Sequence, residues 1–196
     1  MNNPNPNPYV AYSPDDPRST EGGAPALDDP YYGIGFGAAV ARFWRKTFVY
    51  RGRASRGEYW WGVLFCFATT LICSVVAAAA DTLVLNVPLD DEGPIHSWAT
   101  LILTVALFVP FLAASVRRLH DENLRGWWVL LPLALEIGYL GAAGTTMFAA
   151  SASGAAMGTL TTVLLVVAYL LSQVALFILP PNPAGARFDA PRTPGR

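Results

Sequence analysis

The stretch "YWWGVLFCFATTLICSVVAAAA", Tyr59–Ala80, runs from one end to the other without a charged residue. A helix needs about 20 apolar residues to cross a bilayer. The stretch has no strict alternation, so a β-barrel strand is excluded. A segment of this kind in lipid satisfies its backbone only by coiling into an α-helix. This one reading sets the class of the whole protein.

Three further runs repeat it. They are Trp98–Val116, Trp127–Gly144 and Gly158–Leu179, so the expected spans cover about 59–80, 98–116, 127–144 and 158–179. Pro110 lies within the second and should kink it. Pro132 lies in the first turns of the third, where proline is better tolerated. Composition agrees. The chain is 53% hydrophobic and 14% charged, where a soluble domain carries roughly 25% charge, and mean hydropathy is +0.36. The expected fold is an all-α membrane protein with four transmembrane helices.

The placement of basic residues orients it. Arg42, Arg45, Lys46, Arg51, Arg53 and Arg56 precede the first span. Arg117, Arg118 and Arg125 lie between the second and third, and Arg187, Arg192 and Arg196 follow the fourth. No Lys or Arg falls between spans one and two or between three and four. The positive-inside rule then places both termini and the central connection in the cytoplasm of a bacterial inner membrane. Trp60, Trp61, Trp127 and Trp128 stand at the headgroup level on that side.

Residues 1–35, rich in Pro, Asn, Asp and Gly, cannot bury enough surface to offset ordering, so they are expected to form a disordered cytoplasmic tail. They lack a basic stretch followed by an apolar one, so no signal peptide is expected. The membrane domain is expected over 36–183 and a C-terminal cytoplasmic tail over 184–196. Within "FGAAVARFWRKTFVY", Phe36, Val40, Phe43 and Trp44 recur at helical spacing, with Arg42, Arg45 and Lys46 elsewhere around the helix. This predicts a short interfacial amphipathic helix. On the far side, Asp81, Asp90, Asp91, Glu92 and His96 read as a solvated acidic loop, too irregular for a cation site. Cys66 and Cys73 are seven apart on one helix face, about 10 Å, too far for a disulfide. No metal or cofactor signature, nucleotide loop or nucleic-acid motif is present, so neither cofactor, metal nor nucleic acid is expected.

Chemistry concentrates at the basic end. Ser55 and Glu58 form the S-x-x-E pattern of a capping box. "RGEYWW" and "RGWW" both place an Arg-Gly step before a Trp pair, which suggests duplication of a two-helix unit. "GRASRGEYWW", "RRLHD", "GWW" and "NPAGARF" together resemble the DUF805 family of small bacterial inner-membrane proteins, over about residues 36–191. The resemblance implies four membrane helices and no established activity, and it supplies no catalytic residue. Three positions depart from the family pattern: Arg125 where Ser is expected, Ala186 where Asn is expected and Asp189 where Gly is expected.

Three readings compete for "VRRLHDENLRGWW", residues 116–128. In the structural one, Arg118 pairs with Glu58 or Asp121 and ties the helix ends together. Adjacent Arg117 and Arg118 diverge by about 100° on a helix, so one at most is expected to face the bundle. In the binding one, Arg53, Arg56, Arg118, His120, Asp121, Arg125 and Trp127 engage an anionic lipid headgroup or a protein partner. In the enzymatic one, His120 is a general base oriented by Asp121, but sequence neighbours rarely make that pair and no nucleophile accompanies them. Inside the third span Glu136 is costly and therefore a candidate in its own right, with Tyr169 and Gln173 at similar depth as hydrogen-bond partners. The reading that follows is a non-enzymatic structural or binding module, with a small transporter or channel component as the alternative and an intramembrane enzyme behind it. Gly138, Gly141 and Gly144 allow close packing in a homo-oligomer.

Overall fold

The computed structural model describes residues 25, 27, 29–88, 91, 93–147 and 152–189. Among the described residues five α-helices carry the fold: α1 Phe36–Arg45, α2 Arg56–Leu85, α3 Pro94–Asp121, α4 Leu130–Met147 and α5 Ala152–Phe177. Short 3-10 turns, Gly126–Val129 and Pro183–Phe188, precede α4 and follow α5. No β-strand occurs among the described residues. Four helical segments among the described residues are long and apolar enough to cross a membrane: Arg56–Leu85, Pro94–Asp121, Gly126–Gly144 and Ser153–Phe177. Helices α2 and α3 run beyond their apolar runs at both ends, with capping contacts at their starts.

The start of α2 shows how. Ser55 accepts from the Glu58 backbone N–H at 3.1 Å, and the Glu58 carboxylate accepts from the Ser55 N–H at 3.1 Å. Both halves of the expected capping box are thus made. At the other end of α2 the chain turns at Asn86, in the left-handed region at φ 54°. Asp81 is not a loop residue, as its position beyond the apolar run suggests. It lies within α2, 2% exposed, and its carboxylate accepts from Ile95 N at 3.0 Å and His96 N at 2.7 Å. These are free donors of the first turn of α3, so α2 caps α3 across the hairpin. Gly93 makes the approach possible, since a Cβ there would sit 2.2 Å from the Asp81 carboxyl carbon. The His96 ring lies 2.7 Å from Ser74 Oγ, back on α2.

The bundle consists of two hairpins, α2–α3 and α4–α5, with only sparse contact between α3 and α5. Helix α1 packs on α2, where Phe43 lies against Gly62 and 5.8 Å from the Phe65 ring. Burial runs opposite to that of a soluble domain. Large apolar side chains such as Phe67, Ile72, Val75, Ile102 and Leu171 are exposed along the helices, while Arg117, Arg118, Asp121 and Glu58 are buried at one end. An apolar girdle of this kind suits lipid. Cys66 and Cys73 are both free thiols.

The segment just before α1, expected to belong to the tail, is placed against the bundle. Residues 29–35 pack onto the basic end, where Ile34 is buried, Tyr31 N donates to Glu58 and Tyr32 Oη donates to Asp121. The reason is local. Two tyrosines and an isoleucine interrupt the polar composition: Ile34 is buried, and the Tyr32 hydroxyl reaches the buried Asp121. Residues 1–24, 26 and 28 of the expected tail, and the C-terminal residues 190–196, lie outside the described residues.

Candidate functional site

The basic end of the bundle is built around α3. Its last turn carries Arg117, Arg118, His120 and Asp121, all under 10% exposed. Arg118 Nη1 lies 2.5 Å from Asp121 Oδ2, one turn along the same helix. Arg118 Nε donates to Phe177 O at 3.2 Å and Nη2 to Leu179 O. These are carbonyls that the C-terminus of α5 leaves without helical partners. The side chain therefore staples the end of α5 to α3. The Asp121 backbone carbonyl completes the joint by accepting from Asn182 N at 2.7 Å.

The other carboxylate oxygen of Asp121 accepts from Tyr32 Oη at 2.7 Å and faces Arg53 Nη1 at 3.9 Å. Burial, with Asp121 beside it, raises the Tyr32 phenol far above its ordinary range, so it acts as a permanent donor. Arg53 makes a two-pronged pair with Asp189, at 2.9 Å and 2.8 Å. Burial alone would lower the Arg53 guanidinium, but its bonds to Asp189 and that charge outweigh it and the net direction is up. Glu122 lies 2.7 Å from Arg118 Nη2 as an ion pair without hydrogen-bond alignment, and neither of its oxygens accepts a hydrogen bond among the described residues. Burial pushes its carboxyl up to about 8, against the opposing pull of Arg118.

Arg117 corrects the expectation that one arginine at most would be enclosed. Arg118 turns to α5, and Arg117 turns the other way and donates from Nη1 to Lys46 O and Val49 O, both at 2.7 Å. Two different neighbours cover the two faces of the α3 terminus, so divergent side chains are both buried. Glu58 does not pair with Arg118. It meets Arg42 at 3.2 Å and Lys46 at 3.7 Å, so α1 is held to the start of α2.

His120 and Asp121 do not form the acid–base pair that the enzymatic reading requires. The imidazole Nδ1 lies 3.1 Å from Gly52 O, and the ring stacks on Phe188 at 4.0 Å with planes 7° apart. The Asp121 carboxylate faces Tyr32 and Arg118 instead. Gly185 passes so close that a Cβ would sit 2.3 Å from His120 O. Its turn therefore seats the C-terminal segment on α3.

The remaining candidates face outward. Arg56, Arg125 and Trp127 are exposed, and Trp127 stacks on Trp128 at 4.5 Å. Arg56, Gly57, Trp60, Trp61, Leu64 and Ile178 line a surface groove where the start of α2 meets the end of α5. Glu136, Tyr169 and Gln173 do converge, on a separate cavity between the hairpins. No hydrogen bond joins Glu136 to Tyr169 or Gln173 among the described residues; Gln173 accepts from Tyr59 Oη at 3.2 Å. No group of three metal-ligating side chains occurs among the described residues. Reading the residues alone missed Tyr32, Glu122 and Asp189. Only Asp189 left a signal, as a departure from the family pattern.

Residues 47–190 match the family described as a protein of unknown function, DUF805. The chain is similar to the inner membrane protein YhaH of Escherichia coli strain K12, 35% identical over 96 residues, which is 48% of this chain and 73% of that protein. It is similar also to the inner membrane protein YhaI of the same strain, 38% identical over 96 residues, 48% of this chain and 71% of that protein. No solved structure matches it significantly.

Proposed function

The chain belongs to the DUF805 family, and on that premise we propose that it is a non-enzymatic inner-membrane module whose basic end gathers anionic lipid headgroups. In this reading both termini and the α3–α4 connection are cytoplasmic, and α1 lies in the interface with Phe36 and Trp44 toward the lipid. The supporting observation is a division of labour among the arginines. Arg53, Arg117 and Arg118 each donate to carbonyls or carboxylates of the chain itself. Arg56 and Arg125 are exposed, and Arg56 shares its groove with two indole rings and the apolar Leu64 and Ile178. A guanidinium at the rim and apolar walls below match a phosphate group with acyl chains attached.

Native mass spectrometry from nanodiscs of mixed phosphatidylglycerol and phosphatidylcholine tests it. Each exposed arginine near an anionic surface contributes about 1 kcal/mol, so Arg56→Gln and Arg125→Gln should each lower retained phosphatidylglycerol about fivefold. Equal retention of both lipids by the wild type would overturn the reading. The orientation is checked separately by reporter fusions after residues 88 and 123, which should report the periplasm and the cytoplasm respectively.

A further inference from the structure

The cavity between the two hairpins has a volume of about 230 Å³ and is reached by all four long helices. Along α3 its wall runs from Thr104 to Ser115, about 16 Å of helix. Phe177 closes it toward the basic end, stacked 4.6 Å from Tyr59. Above that floor Phe108, Phe111 and Tyr169 contribute ring faces to a wall otherwise mostly aliphatic, and Tyr139 braces the Tyr169 ring at 5.7 Å. No Lys or Arg lines the space. Its one carboxyl group is Glu136, which no hydrogen bond or ion pair engages among the described residues.

An acid at this depth is costly and persists where it has a use. Among the described residues no cationic side chain faces it, so a cation from outside the chain would complement it. Carbon-bound positive charge suits both features of the cavity. It offsets the Glu136 carboxylate, and the ring faces attract cations through their quadrupoles. An anionic ligand would meet the carboxylate, and a strongly hydrated metal ion would find mostly apolar walls. The volume admits a small molecule and excludes a whole phospholipid. We propose that this cavity is a binding site for a small apolar organic cation, an alkyl- or arylammonium, held by Glu136 against Phe108, Phe111 and Tyr169.

Isothermal titration of the full chain in detergent with benzyltrimethylammonium tests this, beside its uncharged carbon isostere neopentylbenzene. The wild type should bind the ammonium at least tenfold more tightly than the isostere. Glu136→Gln should weaken the ammonium tenfold or more and leave the isostere unchanged. Phe108→Leu keeps an apolar wall without the ring face and should weaken the ammonium about two- to tenfold. Circular dichroism and gel filtration establish that each variant is folded. No binding by the wild type, or equal affinity for ammonium and isostere, would overturn the proposal without any variant. An unchanged affinity in folded Glu136→Gln would overturn it as well.

Discussion

Arg118 and Asp121 form an ion pair at 2.5 Å with neither side chain exposed, and each partner also holds a different part of the chain. Arg118 holds the end of α5 through the Phe177 and Leu179 carbonyls, and Asp121 holds Tyr32. Charges this deep are expensive to desolvate, and the pair is tolerable because every lobe of both groups meets a partner. It thereby joins three parts of the chain that are far apart in sequence.

Removing one partner leaves the other charged and enclosed. Arg118→Ala or Asp121→Ala should each cost about 3–5 kcal/mol. In the double variant the loss should fall well short of the sum, because the stranded charge is gone. Thermal unfolding in one detergent, followed by tryptophan fluorescence, measures all three. Additive losses would mean that the pair contributes no coupling.

Gly185 is where the C-terminal segment lies closest to α3. Its missing Cβ leaves room for His120 O, so Gly185→Ala must push the Pro183–Phe188 turn outward. That breaks the His120–Phe188 stack and the Arg53–Asp189 pair together. Amide exchange over residues 183–189 should accelerate by at least tenfold, with exchange in α2 unchanged. Asp189→Asn should accelerate it less, since only the ion pair is weakened.

The membrane helices were legible because an uncharged run such as Tyr59–Ala80 has one stable backbone form in lipid. The Ser55–Glu58 cap and the Arg118–Asp121 pair were legible for a similar reason. Both depend on spacing within a single helix or at its start. What escaped depends on contacts distant in sequence. Tyr32 reaches Asp121 across 89 positions, and nothing periodic announces it. Arg117 follows the angular rule for neighbours on a helix, yet the segment at Lys46–Val49 covers the face the rule assigns to solvent. Asp81 was misplaced because the first charge after an apolar run looks like a helix end, when here it caps the next helix.

Asp81 makes the opposite end of the α2–α3 hairpin testable in its own right. Asp81→Ala removes the acceptor from Ile95 N and His96 N and should cost about 1–2 kcal/mol, as loss of a helix cap does. Asp81→Asn keeps one acceptor and should cost less. The site lies far from Arg118, so combining Asp81→Ala with Arg118→Ala should give nearly the sum of the two losses. A large coupling would mean that the two ends of the hairpin communicate along α2 and α3.

Glu122 gives the fold a pH dependence whose sign follows from its environment. Burial raises its carboxyl from the ordinary 4.5 to about 8 in the folded chain. Between those values the folded state holds a proton that the unfolded state has released. Stability from this group is therefore fully present below about 4.5 and is lost as pH rises through about 8. The physical cause is burial, reinforced by the nearby Asp121 charge, which together outweigh the pull of Arg118 and Arg56, and no hydrogen bond to either oxygen offsets it among the described residues. Glu122→Gln removes the titrating group and keeps its shape. The wild type should melt at a lower temperature at pH 8.5 than at pH 5.5, and the variant should lose most of that difference. At pH 8.5 the variant should be the more stable of the two. If instead the wild type gains stability between pH 5.5 and 8.5 through this residue, then Arg118 holds the Glu122 carboxylate more tightly than burial penalises it.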